Sequence, residues 1–283
     1  MQKPSILSLV ICAVLILAVL SVLVVYNNGY FETLQLVQGV STQTPPPDII
    51  ADDSFALGEY YFNQSPYNDG TVYDLEKARH YYQQSIIQAT QNGKIAPTYA
   101  WYNLAKIDFI QKKFDGAISK LEKQLAVHGD AVPQTYYMLG LAHGYRAPTA
   151  EVEGEAEIDW QAAEANFTQF MAYAPDSPWP RVDLAWVYFG QGKFEQMLPL
   201  LEEGIAINGD HAWLLNTYGL ALLNSGDKAG AREAFTKAQQ VYQNLTVDDW
   251  SNAYRENDPS LWNRNFELFG ATIDYNLSLA EGE

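Results

Sequence analysis

Cysteine occurs once, as Cys12, so no intrachain disulfide can form. Basic residues are scarce: 17 Lys+Arg stand against 34 Asp+Glu, a formal net charge of −17, and none occurs between Lys3 and Lys77. A chain this acidic lacks the basic stripe that nucleic acid requires, and nucleic acid is excluded as a partner. Histidine is sparse. His80, His128, His143 and His211 form no H-x-x-x-H pair, and G-x-S-x-G, the phosphate-binding loop and G-x-G-x-x-G are all missing. The single cysteine falls in an apolar run, which removes a thiol nucleophile. The expectation is a non-enzymatic chain with no cofactor and no metal. Aromatic residues, by contrast, are plentiful: Tyr 19, Phe 12 and Trp 7 exclude a largely disordered protein.

The longest apolar run covers residues 5–26, from Ser5 to Tyr26, without a charge or a proline. As a helix it would reach ~33 Å, enough to cross a bilayer core. It is longer than the apolar core of a cleaved signal peptide, and no Ala-x-Ala follows before Tyr30. Residues 1–26 are therefore expected to be a short cytoplasmic stub and an uncleaved transmembrane helix. The positive charge at Lys3 favours a cytoplasmic amino terminus and an extracytoplasmic body. An exported domain without disulfides fits a bacterial cell envelope. Residues 27–50 carry three consecutive prolines, Pro45, Pro46 and Pro47, and suit a stiff spacer.

The body is organised around residues 178–238, which hold one pattern twice. Leu184-Ala185 recurs as Tyr218-Gly219, Tyr188 as Leu222, Gly192 as Gly226, Met197 as Ala231, Leu201 as Phe235 and Gly204 as Ala238, always 34 residues apart. Leu184, Ala185 and Tyr188 share one helix face, Gly192 supplies a left-handed turn, and Met197, Leu201 and Gly204 make the stripe of a second helix. A hairpin of this kind cannot bury both apolar faces alone, so copies must stack.

This pattern resembles the tetratricopeptide repeat, a helix-turn-helix unit of the same length. Three earlier copies are expected on the same register. The first holds Leu57-Gly58, Tyr61, Ala78, Tyr82 and Ser85, with an insert of eight residues within 63–71. The second holds Trp101, Leu104-Ala105, Phe114, Ala117 and Leu121, and departs from the pattern at Asp108, where an aromatic is expected, and at Lys112, in place of the turn glycine. The third holds Tyr136, Leu139-Gly140, Ala163, Phe167 and Phe170, with an insert of 11 in residues 147–159. That stretch carries Glu151, Glu153, Glu155, Glu157 and Asp159 and reads as a solvated acidic loop. Both inserts fall in the turn within a helix pair and are expected to project from the same edge of the body and to tolerate trimming.

The predicted fold is all-α. Five repeats occupy residues 51–245, followed by capping helices in 246–283 on the stripe Trp262, Phe266, Phe269, Ile273, Leu277 and Ala280. Ala231 is expected at a crowded helix crossing.

The resemblance implies a scaffold for other proteins or peptide segments, with the first helix of each pair lining a concave groove. Counted from the repeat starts, the exposed groove positions are Tyr99, Tyr102, Lys106 and Phe109, then Tyr137 and Tyr145, then Trp179, Trp186 and Phe189, then Trp213 and Asn216. Large rings also fill gaps between repeats, so each of these aromatics belongs either to groove or to core. Two further readings stay open: a binder of wall polymer or saccharide using the same rings, and a structural subunit of a membrane-protein complex.

Overall fold

The computed structural model describes residues 53–68, 72–151, 154–254 and 257–282, all within the second of two units of the chain, residues 44–283. The apolar run 5–26, the spacer 27–50 and parts of both inserts lie outside the described residues. Among the described residues there is no strand, and no helix is long and apolar enough to cross a membrane.

Ten helices form five antiparallel pairs: α1 (Ser54–Tyr61) with α2 (Leu75–Gln91), α3 (Ala100–Ile110) with α4 (Phe114–His128), α5 (Gln134–Arg146) with α6 (Glu155–Tyr173), α7 (Trp179–Gly190) with α8 (Phe194–Ile207), and α9 (Ala212–Ser225) with α10 (Lys228–Tyr242). A short α11 (Val247–Ala253) and a long α12 (Trp262–Glu281) follow. Several starts are fixed by side chains that accept from otherwise unpaired backbone donors. Asp53 accepts from the Ala56 N–H, Asp74 from Lys77 and Asp227 from Gly230, while Thr246 and Asp249 form a reciprocal capping box.

Within each pair the helices cross where a small residue faces a large one. Ideal Cβ atoms placed on Gly58, Gly140 and Gly219 would come within 2.6, 2.7 and 2.5 Å of the rings of Tyr82, Phe167 and Phe235. The second and fourth pairs use the other solution. There Ala105 packs with Leu121 and Ala185 with Leu201, all four nearly or fully buried. Glycine accompanies a ring and alanine accompanies leucine, so the summed volume at the crossing is conserved along the stack. Ala231 is fully buried against the same core as Phe235, as expected.

Turn chemistry follows the repeat. Gly192 and Gly226 take positive φ, +70° and +90°, and close the fourth and fifth pairs. Lys112 takes the same left-handed conformation, φ +57°, in the second pair.

Two expectations need correction. The inserts do not simply project. In the first, Asn63 and Ser65 are buried, and the Asn68 amide donates to the carbonyls of Tyr60 at 2.6 Å and Val72 at 2.7 Å, pinning the loop to α1. In the second, Ala147 is buried, and from Glu155 onward the chain is already the first turns of α6. The acidic run is not wholly solvated. Asp159 is 4% exposed and accepts from Arg146 at 2.7 and 2.9 Å, with His143 Nδ1 at 2.8 Å. Burial pushes the Asp159 carboxyl up, but the Arg146 and His143 hydrogen bonds outweigh it and hold it below its ordinary range.

Candidate binding surface

The first helices α3, α5, α7 and α9 touch in succession, whereas contact between successive second helices is marginal at most. The stack therefore closes toward the first-helix side and opens on the other, which makes the first helices the inner layer. Every predicted groove residue lies on this layer, but the layer divides them into different environments.

At the amino-terminal end Tyr99 is 44% exposed, with Tyr102 edge-on to it at 6.1 Å. Tyr102 and Lys106, counted as exposed positions, are buried instead. The Lys106 ammonium lies over the rings of Phe62 and Tyr102, at 5.6 and 5.3 Å from their centroids. Beside it Glu59 accepts from Tyr82 and from Asn103, each at 2.6 Å. This end is a satisfied polar core.

In the middle, Phe109 of α3, Tyr145 of α5 and Trp186 of α7 form a ladder of rings, with centroids 5.4 and 5.1 Å apart. All three are half-buried. Trp186 also meets Trp160 of α6 edge-on and lies against Gly144, whose missing side chain makes room for it. Phe189 is set apart from the ladder and packs with Phe194 at the α7–α8 turn. Tyr137 packs against Phe167 and Phe170, and its hydroxyl donates to Asp183 Oδ2 at 2.5 Å. Asp183 keeps partial exposure, yet surrounding protein atoms desolvate its carboxyl and push it up to about 6, with the Tyr137 hydrogen bond opposing that shift.

At the carboxyl end the inner surface is covered by the chain itself. Trp213 of α9 stacks on Phe269 of α12 at 4.6 Å and on Trp250 of α11 at 5.7 Å. Tyr254, just past α11, reaches Trp179 of α7 at 6.1 Å. Asn216 is 8% exposed, and its Oδ1 accepts from the Asn276 amide of α12 at 2.9 Å. Asn216 is thus sealed under the cap, and Trp213, half-buried, stacks against the cap's rings. His211 lies between Trp179 and Trp213; burial pushes it down to about 4, and the neutral ring accepts from the Leu214 N–H as the cap of α9.

Sequence counting missed Asp183, Trp250 and Tyr254. Asp183 had a signal: it stands four residues after Trp179 and three before Trp186, on the stripe that faces inward. Among the described residues no three His, Cys, Asp or Glu side chains gather to hold a metal ion.

No family model matches the chain, and no curated protein matches it by sequence. Solved structures do. The chain is similar to TTC0263, a thermophilic tetratricopeptide repeat protein of Thermus thermophilus, with 16% identity and a TM-score of 0.50 over 66% of this chain and 91% of that one. It is also similar to MamA from residue 41 onward, of Desulfovibrio magneticus, with 14% identity and a TM-score of 0.50 over 60% of this chain and 86% of that one. At these identities the likeness establishes the fold: an all-α solenoid of tetratricopeptide type.

Proposed function

We propose that the chain is a membrane-anchored scaffold of the cell envelope, whose inner helices hold a segment of another protein. The observation that carries this reading is the ladder of half-buried rings on α3, α5 and α7, Phe109, Tyr145 and Trp186, which the chain's own cap leaves uncovered. Rings presented on rigid helices give large contact area at low entropic cost, and such residues are usual binding hot spots. Residues 5–26 serve as the anchor in this reading, residues 27–50 as the spacer, and the body lies outside the cytoplasm.

Site-specific photocrosslinking in the native cell tests it. A photoreactive phenylalanine replaces Tyr99 or Tyr145 on the inner layer, or Tyr275, which is 47% exposed on α12, as control. The expected result is one protein segment captured from both inner positions and not from Tyr275. Equal capture at all three positions, or no polypeptide at the inner pair, overturns the reading. Retention of purified protein on cell-wall polymer in that second case marks the rings as a saccharide surface. Protease digestion of the body in intact spheroplasts tests the orientation, and full protection refutes it.

A further inference from the structure

The inner surface carries an acid that meets no cation among the described residues. Asp183 accepts from the Tyr137 hydroxyl through Oδ2, while Oδ1 has no hydrogen-bond partner among the described residues, and the residue keeps partial exposure. Trp179 and Trp186 flank it on the same stripe of α7, about 6 Å before and about 4.5 Å beyond it along the axis. Each is continued by a ring from another element: Trp186 by Tyr145 at 5.1 Å, and Trp179 by Tyr254 at 6.1 Å. A carboxylate between two aromatic pairs matches a guanidinium or ammonium on a long apolar stem. The charge meets the carboxylate and the ring faces, and the methylenes lie along the rings.

We infer that Asp183, with Tyr137, Trp179 and Trp186, is a receptor site for a lysine or arginine side chain of the bound polypeptide. This rests on the groove reading above and names the chemistry of its occupant. Charge favours the same partner: the chain carries −17 in total, so a basic segment is drawn toward it. The desolvation that pushes the Asp183 carboxyl up to about 6 is a penalty that a bound cation relieves.

The test uses the full-length protein and a positional-scanning library of 12-residue peptides, in which one central position is Lys, Arg, Gln, Leu or Glu within mixed flanks. Wild type is expected to enrich Lys or Arg at that position. Asp183→Asn is expected to lower that enrichment at least about tenfold, while Tyr275→Phe, at the exposed control position on α12, retains it. A carbodiimide cross-link from a bound peptide lysine to Asp183, mapped by mass spectrometry in wild type, checks the contact without relying on any variant's folding. Peptides bound without basic enrichment, or with enrichment that survives Asp183→Asn, overturn this inference and leave the groove standing. No peptide bound at all overturns the groove reading together with it.

Discussion

Two acids on the inner layer were finished in opposite ways. Asp108 of α3 is 3% exposed and sits between two cations, Arg79 of α2 at 2.6 Å and Lys120 of α4. Asp183 of α7 has a tyrosine hydroxyl and, among the described residues, no cation. Asp108 occupies the repeat position that holds Tyr61, Tyr188 and Leu222 in other pairs. There a charge triad replaces a ring: it ties α2, α3 and α4 together, with Gly116 making room beside the carboxylate. The aromatic missing at this position is replaced by a carboxylate paired with two cations. Asp183 has no such neutralisation among the described residues.

The difference is open to measurement, and the largest effect is expected at Asp108. Asp108→Ala strands Arg79 and Lys120 against a core that no longer neutralises them, and should cost about 3 kcal/mol of unfolding free energy. Chemical denaturation of wild type and variant checks this; a loss under about 1 kcal/mol means that water reaches the triad and that the contrast with Asp183 is not one of neutralisation.

The covered end of the inner layer provides the second test. Trp213→Ala removes the ring on which Phe269 and Trp250 stack, and should cost about 3 kcal/mol. Amide exchange in α11 should accelerate with it. If stability is unchanged and only partner capture falls, the cap does not rest on Trp213 and the groove extends to α9.

Asp183→Asn should move stability the other way. The folded carboxyl titrates near 6 rather than 3.8, so the folded state prefers it protonated. The contribution it makes below pH ~4 is lost as pH rises through about 6. Asparagine carries no charge at any pH, so at pH 7.5 the variant should be more stable by about 1–3 kcal/mol, and the gain should vanish toward pH 4. A pH-independent difference, or a loss at pH 7.5, means that the carboxylate is already compensated and removes its claim to need a cation.

These contrasts mark what could be read from the residues alone. The steps of 34 residues located the fourth and fifth pairs because Gly192 and Gly226 punctuate them, and the stripe from Trp262 to Ala280 announced α12. Burial of Lys106 and Asn216 was not legible, because a counted position says which way a side chain leaves its helix but not what returns to meet it. Lys106 is met by Phe62 from the first turn, and Asn216 by Asn276, 60 residues on. Periodicity also ends where repeats end, so nothing in it places Trp250 and Tyr254 over α7 and α9. The acidic stretch 147–159 misled for a physical reason: acids suit a loop, but they equally suit the first turn of a helix, where Glu155 and Glu157 face the positive end of the α6 dipole.

The smallest expected effect concerns a turn. Lys112 occupies, at φ +57°, the left-handed conformation that glycine supplies at Gly192 and Gly226. A side chain there crowds the following carbonyl, whereas glycine does not. The conformation is held by backbone hydrogen bonds: Lys112 N–H donates to the Phe109 carbonyl at 2.8 Å and Lys113 N–H to Asp108 at 2.8 Å, and Gly192 and Lys193 repeat both bonds in the fourth pair at 3.0 and 2.8 Å. The repeat geometry thus fixes the backbone, and the residue at Lys112 bears the strain. Lys112→Gly should raise the stability of the second pair by about 0.5–1 kcal/mol, and Gly192→Lys should lower that of the fourth by about 1–2 kcal/mol. Opposite signs at equivalent turns in thermal unfolding are the diagnostic result. A loss on Lys112→Gly means that packing of the lysine stem outweighs the backbone strain, and the two turns then share a shape without sharing a cause.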